Sequence, residues 1–332
     1  MKAIKFFAIS AMAAAMITSC STDDELSQSN YPSDNIVRVT AGVNNAKTRA
    51  EGAGTEMKND FSLTIVNKNT ESTLPSKYTY IDKVFSKKSG DWACSETLLW
   101  QNDKTPVDIV AFAPAQEGKF NGVYANGSIQ PITYSVATDQ STSSDYNDLL
   151  YYYTPGFVPG GTNLDKDGKL SIQFNHAFCM IDINVTLGTE FNKPKVLDDS
   201  PIVKVTLGGT KIAANVNVTN AASVVTISET DAATDITTTN GTFTKAANEE
   251  ANAKSCFSCI AIPQTVAANT FKVSLMTAGK RYEWTSDKEI TLQSGYRYTL
   301  NLSMGNDVVL LKGGSITATK WTEVSGGSLE TD

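Results

Sequence analysis

Short runs in which apolar and polar residues alternate recur along the chain from residue 36 onward. "IVRVTAGVN" places Val37, Val39, Ala41 and Val43 on one face, and "FSLTIVN" and "YTLNLS" repeat the pattern. Alternation with a period of two is typical of β-strands with one buried face. Asn-Gly and Gly-Gly pairs separate the runs, and no long stretch shows the 3.6-residue period of a helix. The sequence therefore predicts an all-β fold of antiparallel β-sandwiches.

Residues 170–187, "LSIQFNHAFCMIDINVTL", are apolar on both faces of a strand. Such a run is typical of a central strand covered on both sides, so we predict one buried strand here. His176, the only histidine, lies within it. A catalytic or metal-binding histidine needs partners that the pattern does not supply. We expect His176 to be a packed residue hydrogen-bonded to a neighbouring strand or loop, and we expect His176→Phe to be tolerated.

The segment 154–168, "TPGFVPGGTNLDKDG", is rich in proline and glycine and lacks periodicity. We predict a connection between two domains there. Asn163, Asp165, Asp167 and Gly168 match four positions of a calcium-binding loop, but the twelfth position is a phenylalanine where a bidentate glutamate is needed. We therefore interpret the segment as a turn before a strand and expect no metal.

The first nineteen residues have the features of an export signal. Lys2 and Lys5 precede an apolar stretch, residues 6–17, that is too short to span a membrane. The stretch ends in "ITSC", which resembles the lipobox of bacterial lipoproteins and predicts lipidation of Cys20. The acidic residues 21–25 resemble the tag that sends such proteins to the outer face of the outer membrane. The alternative is an ordinary signal peptide with an incidental cysteine.

Composition narrows the classes of chemistry. A net charge of −7, a pI near 4.9 and scattered lysines argue against nucleic acid as a partner. Cys256 and Cys259 lie in the strand-like "KSCFSCIAIP", where they would point to opposite faces, so we expect small core residues and not a zinc pair or a disulfide. The chain has one histidine, no nucleophile motif and no clustered ligands, so we expect neither an enzyme nor a cofactor.

An ordered set of short pieces covers most of residues 36–321. The pieces are "DLLY" at 148–151, "LSIQFNHA" at 170–177, "VKVTLGG" at 203–209, "AIPQ" at 261–264, "FKVSLMTAGKRYEW" at 271–284, "LQSGYRYTLNL" at 292–302 and "SITATKW" at 315–321. Together they resemble the fimbrillin-like lipoproteins of Bacteroidia. The resemblance implies two transthyretin-like β-sandwich domains in tandem and a role in type V pili, which assemble at the cell surface from lipoprotein precursors.

On this basis we expect four parts of the chain. They are a signal peptide at 1–19, a lipidated segment with a removable first strand at 20–49, an N-terminal β-sandwich at 50–160 and a C-terminal β-sandwich at 161–332.

The resemblance also implies that a protease cuts after an arginine and removes the first strand. Three of the four arginines lie in strand-like segments, whereas Arg49 lies in the polar loop "NNAKTRAEGAG", where a protease has access. We expect cleavage between Arg49 and Ala50; the alternative is a solvated loop arginine. The side chains that would leave the groove are those of Val37, Val39, Ala41 and Val43.

The expected donor strand is the C-terminal tail, residues 307–332. A donated strand supplies backbone hydrogen bonds and alternate side chains to an open sheet edge. The alternative is that the tail completes its own domain. The donor side chains would be those of Val308, Val309, Leu310, Leu311, Ile316 and Trp321.

These features predict a non-enzymatic subunit of surface fimbriae that supports adhesion. Its partners would be other fimbrial subunits, a surface ligand on host or bacterium, and the outer membrane through the lipid on Cys20. The alternative is a surface lipoprotein, or a tip or anchor subunit, that binds a glycan or host ligand and does not polymerise. Tyr151, Tyr152 and Tyr153 could then stack on sugars, or they could pack as strand residues.

Overall fold

The computed structural model describes most of the chain. The described residues are 29–44, 55–57, 59–69, 77–115, 118–142, 148–228, 231–306, 308–311 and 316–320. Cys20, the Arg49-Ala50 bond and Trp321 lie outside them. Within these ranges, no helix has the length and apolar character needed to cross a membrane.

The described residues form twenty-five β-strands and two short 3-10 helices. The strands up to residue 176 are β1 (Arg38–Val43), β2 (Thr55–Glu56), β3 (Phe61–Asn67), β4 (Tyr80–Lys88), β5 (Asp91–Cys94), β6 (Val107–Ala113), β7 (Tyr124–Ala125), β8 (Ser128–Ile129), β9 (Ile132–Ser135), β10 (Leu150–Phe157) and β11 (Lys169–His176). Those that follow are β12 (Cys179–Leu187), β13 (Ile202–Gly208), β14 (Ala213–Val216), β15 (Val225–Ile227), β16 (Ile236–Thr237), β17 (Thr242–Thr244), β18 (Lys254–Ala261), β19 (Thr265–Val266), β20 (Lys272–Thr277), β21 (Arg281–Thr285), β22 (Ile290–Thr291), β23 (Tyr296–Met304), β24 (Val309–Leu311) and β25 (Thr317–Lys320). The 3-10 helices are Asn121–Val123 and Thr189–Asn192.

An eight-stranded sheet contains β1 and has the order β2-β1-β11-β10-β6-β3-β4-β5. Its neighbours are antiparallel except β1 and β11, which run parallel. The last strand, β5, also contacts β1, so the sheet curves round a single interior. Phe61 lies at the centre of that interior, with its ring centroid 5.4 Å from Phe85 and 5.5 Å from Phe174. We call this hydrophobic cluster the first core.

Two further sheets enclose a separate cluster, which we call the second core. One has the order β17-β18-β12-β23-β24, with β25 also paired to β23, and the other has the order β16-β13-β20-β21. Their buried side chains meet in one cluster that includes Ile181, Leu207, Leu275 and Leu300. These sheets confirm the predicted all-β fold. The division into two tandem domains remains a prediction.

The two cores are not separated by the boundary that we expected between residues 160 and 161. Residues 118–142 leave the first sheet, and β9 within them pairs with β14. Phe120 and Tyr134 of this segment are buried in the second core. In addition, β11 belongs to the first sheet although it follows the boundary, and residues 154–157 of the expected linker form the end of β10.

The prediction of one two-sided strand at 170–187 is wrong. The segment forms β11 and β12, which belong to different sheets and are separated by Ala177 and Phe178. Even-numbered residues are buried in β11, whereas odd-numbered residues are buried in β12. Each strand therefore has one buried face. Apolar residues occupy both even-numbered and odd-numbered positions of this segment because the chain passes from the first core to the second.

Candidate functional site

The first strand lies deep in the first core. Val37, Val39 and Val43 are 5%, 3% and 1% exposed, and Ala41 packs against the same cluster. The four residues predicted to face the groove thus share the inward face. Strand β1 pairs with β11 over its whole length, from Arg38 opposite Lys169 to Val43 opposite Phe174.

Polar contacts hold both ends of this strand. At its start, the Val37 amide donates to the Leu98 carbonyl at 2.9 Å. At its end, the Asn44 amide donates to the Phe174 carbonyl at 2.8 Å, and the Asn44 side chain donates to Asn175 Oδ1 at 2.8 Å. Sequence reasoning missed Asn44, because nothing in a polar loop distinguishes an asparagine that bonds to a strand 130 residues away.

An exposed ion pair lies beside the start of β1. The Arg38 guanidinium contacts both carboxylate oxygens of Asp34, at 2.9 and 2.5 Å. The hydrogen bonds from Arg38 and from the Ile36 amide lower the pKa of Asp34 from 3.8 to about 2. Arg38 is therefore paired with a carboxylate within a folded strand.

The predicted cleavage site lies between two paired strands. Gly42 and Val43 at the end of β1 pair with Glu56 and Thr55 of β2, and Met57 just after β2 is buried in the first core. In the sequence, residues 45–54, which include Arg49 and Ala50, connect β1 to the edge strand β2. A cut in this connection would leave β1 attached to the rest of the sheet by non-covalent contacts alone.

The tail pairs with its own chain. Strand β24 is antiparallel to β23 with Leu311 opposite Leu302, and β25 continues along the same edge with Thr317 opposite Thr299. Six residue steps in the tail (317 − 311) therefore span three steps in β23 (302 − 299). The tail forms one edge strand interrupted by an insertion.

Few side chains of the tail are buried. Val309 is 6% exposed, Val308 is 49% exposed and Leu310 is 59% exposed. Ile316 packs partly against the second core, and all four residues of β25 are exposed. The described part of the tail is thus held mainly by backbone pairing.

The point where the tail begins is fixed by three side chains. The Asn306 carbonyl accepts hydrogen bonds from Lys280 Nζ at 2.6 Å and from the Tyr282 hydroxyl at 2.9 Å. The Asn306 amide donates to Glu190 Oε1 at 3.1 Å. These contacts fix the residue immediately before the predicted tail, residues 307–332.

His176 is a packed residue, as predicted. It is 5% exposed, and its Nδ1 lies 2.7 Å from Asp148 Oδ2. Asp148 precedes β10, whose Leu150 pairs with His176. The "DLLY" and "LSIQFNHA" pieces therefore meet at the point where the chain leaves the first sheet.

The three consecutive tyrosines pack as strand residues of β10. Tyr151 and Tyr153 lie against the second core and Tyr152 against the first. Burial raises the pKa of Tyr151 and of Tyr153. All three side chains are half-buried.

The other sequence candidates have structural roles. Cys256 is half-buried and Cys259 fully buried on opposite faces of β18, and burial raises the pKa of Cys259 to about 12. Asp165 Oδ1 accepts the amides of Asp167 and Lys169 and closes the turn before β11. Within the described ranges, no three acidic, histidine or cysteine side chains cluster as a metal site would require.

Solved structures share this fold. A protein of Bacteroides ovatus assigned to cell adhesion has a TM-score of 0.61 at 16% identity, covering 87% of this chain and 98% of that one. A second such protein, from Bacteroides uniformis, has a TM-score of 0.56 at 16% identity, covering 88% and 100%. A fimbrial protein of Bacteroides vulgatus has a TM-score of 0.51 at 16% identity, covering 87% and 98%.

These similarities define a β-sandwich protein with the fold of bacterial adhesion and fimbrial proteins. The sequence is more specific: the fimbrillin-like family model matches residues 48–321, and the chain belongs to that family. No curated protein matches the sequence. Family membership confirms the resemblance and gives the chain a structural role in fimbriae and adhesion.

Proposed function

We propose that this chain is the precursor of a fimbrial subunit that is exported as a lipoprotein, cut after Arg49 and assembled by exchange of a β-strand. The observation that supports this most strongly is the position of β1. Its three valines are buried in the first core, while the sequence segment 45–54 is its only covalent link to the residues that follow. One cut there makes an interior strand removable.

Removal of β1 would leave a groove that must be filled. The edge of β11 would lose its parallel partner, and the floor around Phe61 and Phe174 would meet water. Burying one valine contributes about 1.5–3 kcal/mol, so three valines contribute roughly 5–9 kcal/mol. A donor strand with apolar residues at alternate positions restores this contribution together with the hydrogen bonds.

The tail has the properties of a donor. Val308 and Leu310 already lie in water while the tail is docked on β23, so moving them into a groove gains burial. Release of the tail exposes Val309 and part of Ile316. Donation by one subunit to the next would therefore bury the side chains of Val308 and Leu310, which are exposed in the docked tail.

The N-terminal segment would determine the cellular location at which strand exchange occurs. The lipobox-like "ITSC" and the acidic residues 21–25 support anchoring in the outer membrane through Cys20, facing outward. The same cut that frees β1 would free residues 50–332 from the lipid. The partners are other fimbrial subunits, and the role is structural and not catalytic.

A second candidate has an observation of its own. Because β24 and β25 pair with β23 of the same chain, the tail already completes the sheet that contains β12 and β23. A tip or anchor subunit that ends a fibre would keep this arrangement. The two candidates differ in whether the tail is needed for incorporation into fibres.

The test uses the full-length chain expressed on the surface of its own cell type. Arg49→Ala should give a lipidated, surface-exposed monomer without fibres, whereas the matched control Lys47→Ala, two residues away in the same loop, should assemble normally. Electrophoresis in sodium dodecyl sulfate without boiling and electron microscopy give the readout. Fibres built from uncut Arg49→Ala protein would falsify the cleavage step. Normal fibre length after deletion of residues 307–332 would favour the self-completing subunit.

A further inference from the structure

A polar cleft of about 410 Å³ opens at one edge of the two sheets that enclose the second core. It exists because β16 pairs with β13 only at Thr206 and Leu207, and the chain then turns away toward β17. The hydrogen bond from the Thr238 amide to the Val205 carbonyl, 3.0 Å, is the last rung. Residues 202–204 of β13 therefore border an opening between the two sheets.

The walls of this cleft are fixed. Gln140, 0% exposed, pairs through its side-chain amide with the backbone of Ile260: Oε1 accepts from the amide at 2.8 Å and Nε2 donates to the carbonyl at 2.9 Å. Thr239 also pairs with the backbone of β18. Its backbone amide donates to the Ser258 carbonyl, and its hydroxyl oxygen accepts from the Ser258 amide. The edge of β18 is thereby closed beyond β17, and the cleft is preformed.

The lining has three levels. Its floor is mainly apolar, its walls carry hydroxyl groups, and its rim carries one carboxylate, one ammonium, one amide and one exposed valine. The floor residues are the buried Ile202, Val205, Thr238 and Phe257; the wall residues are Ser141, Ser200, Thr237, Thr239 and Thr242; the rim residues are Asp139, Val203, Lys204 and Asn240.

The charges at the rim cancel. Asp139 Oδ1 accepts the Ser141 amide at 3.0 Å, and the bonds from Ser141 together with the field of Lys204 lower the pKa of Asp139. The carboxylate is thus ionised at neutral pH, and the ammonium of Lys204 lines the same cleft. A cleft with one charge of each sign gives no net attraction to an anion or a cation.

We propose that this cleft binds a neutral saccharide. A pyranose presents CH groups on one face and hydroxyls around its edge, which match an apolar floor under hydroxyl-bearing walls. Asp139 and Asn240 can each bond to adjacent hydroxyls, because a carboxylate accepts and an amide both donates and accepts. The volume lies in the range of about 300–1,000 Å³ that is typical of small-ligand sites.

The site is independent of the proposed strand exchange. In the sheet order β17-β18-β12-β23-β24 the cleft borders the β17 edge, while the tail lies at the opposite edge. Loss or donation of the tail leaves the cleft open. A monomer that never assembles should bind the sugar as well as an assembled subunit.

The experiment uses the full mature chain carrying Arg49→Ala on an array of neutral and sialylated mammalian glycans, followed by titration calorimetry with each neutral sugar that binds. We expect binding to neutral glycans, with a loss of about tenfold or more in affinity for Asn240→Ala and for Asp139→Ala. Asp103→Asn is the matched control, because Asp103 lines a separate surface depression with Lys68 and Pro106. It should bind unchanged.

Unaltered melting temperatures would show that the rim variants are folded, as expected for exposed residues. The proposal is overturned if no glycan binds, if sialylated glycans alone bind, or if Asn240→Ala binds as tightly as the parent. Binding of an extended peptide that Asn240→Ala abolishes would also overturn it and would identify the cleft as a strand-addition site. None of these outcomes bears on whether Arg49→Ala prevents fibres.

Discussion

The first strand and the tail both complete a sheet, but they are held in different ways. Strand β1 lies between β11 and β2 and places three valines in the first core. The tail runs along the outer edge of β23, with Val309 as the one buried side chain among the tail residues whose burial is described, and with β25 wholly exposed.

The two segments are therefore stabilised by different interactions, one mainly by burial of side chains and the other mainly by backbone hydrogen bonds. Side-chain burial holds β1, and each valine is worth about 1.5–3 kcal/mol. Backbone pairing holds most of the tail, and a hydrogen bond that water can replace contributes only about 0.5–1.5 kcal/mol. A strand of the first kind leaves only when a bond is cut and a replacement arrives, whereas a strand of the second kind can open by itself.

The largest expected effect is at the floor below β1. Phe174→Ala removes a ring that contacts Phe61 and should lower the free energy of unfolding by about 3–5 kcal/mol. Thr319→Ala in β25 should change it by less than about 0.5 kcal/mol, as for other exposed surface positions. Urea titration followed by tryptophan fluorescence measures both. Equal effects would mean that β1 and the tail are held alike.

Exchange of backbone amides should show the same contrast without mutation. The amides of residues 317–320 should exchange about 100-fold or more faster than those of residues 39–43, since opening the tail exposes little apolar surface. Hydrogen–deuterium exchange with mass spectrometry resolves both segments. Comparable protection would contradict the view that backbone pairing alone holds β25.

A third prediction concerns His176, at the end of the strand that supports β1. The sequence predicts that His176→Phe is tolerated, whereas the hydrogen bond to Asp148 leads us to expect a measurable loss of stability. Leaving the buried carboxylate without this partner should cost about 1–3 kcal/mol. The double variant His176→Phe with Asp148→Leu should recover most of that loss, because both polar groups are then gone. Thermal unfolding of both variants provides the test, and a double variant no more stable than the single one would count against it.

The smallest expected effect is at the start of β1. The folded-state pKa of Asp34, about 2, lies below its ordinary value of 3.8. A lowered pKa stabilises the fold above the ordinary value, and this stabilisation is lost as the pH falls from about 4 to 2. The pair is exposed, so Asp34→Asn should alter the acid unfolding curve only slightly. A titration of the Asp34 carboxyl by NMR that gives a midpoint near 4 would exclude the ion pair.

Local pattern was enough to predict the inward face of β1 and the all-β class. Val37, Val39, Ala41 and Val43 alternate within one strand, and the alternation needs no knowledge of the partner. The parallel partner β11 is about 130 residues away, and no short-range signal indicates it.

The passage of the chain from the first core to the second is visible in the sequence, but we interpreted it as one two-sided strand. The buried positions are even-numbered up to His176 and odd-numbered from Cys179, and this change marks the boundary between two strands of different sheets. The excursion of residues 118–142 to the second core depends on the pairing of β9 with β14, about 80 residues away, and Gln140 pairs with Ile260 across 120 residues. The polar cleft arises from these contacts, so the sequence alone did not predict it.

The antiparallel return of the tail at Asn306 has a mechanical consequence. Lys320 pairs with Tyr296, so the last described residue of the tail lies at the start of β23, while the anchored Asn306 follows the end of β23. A load on Lys320 directed away from the sheet would open the pairs of β25 first and those of β24 afterwards. In the parallel pair of β1 and β11, a load along the strand acts on all rungs together in shear. The chain thus has one strand that unzips under small forces and another that resists tension along its whole length.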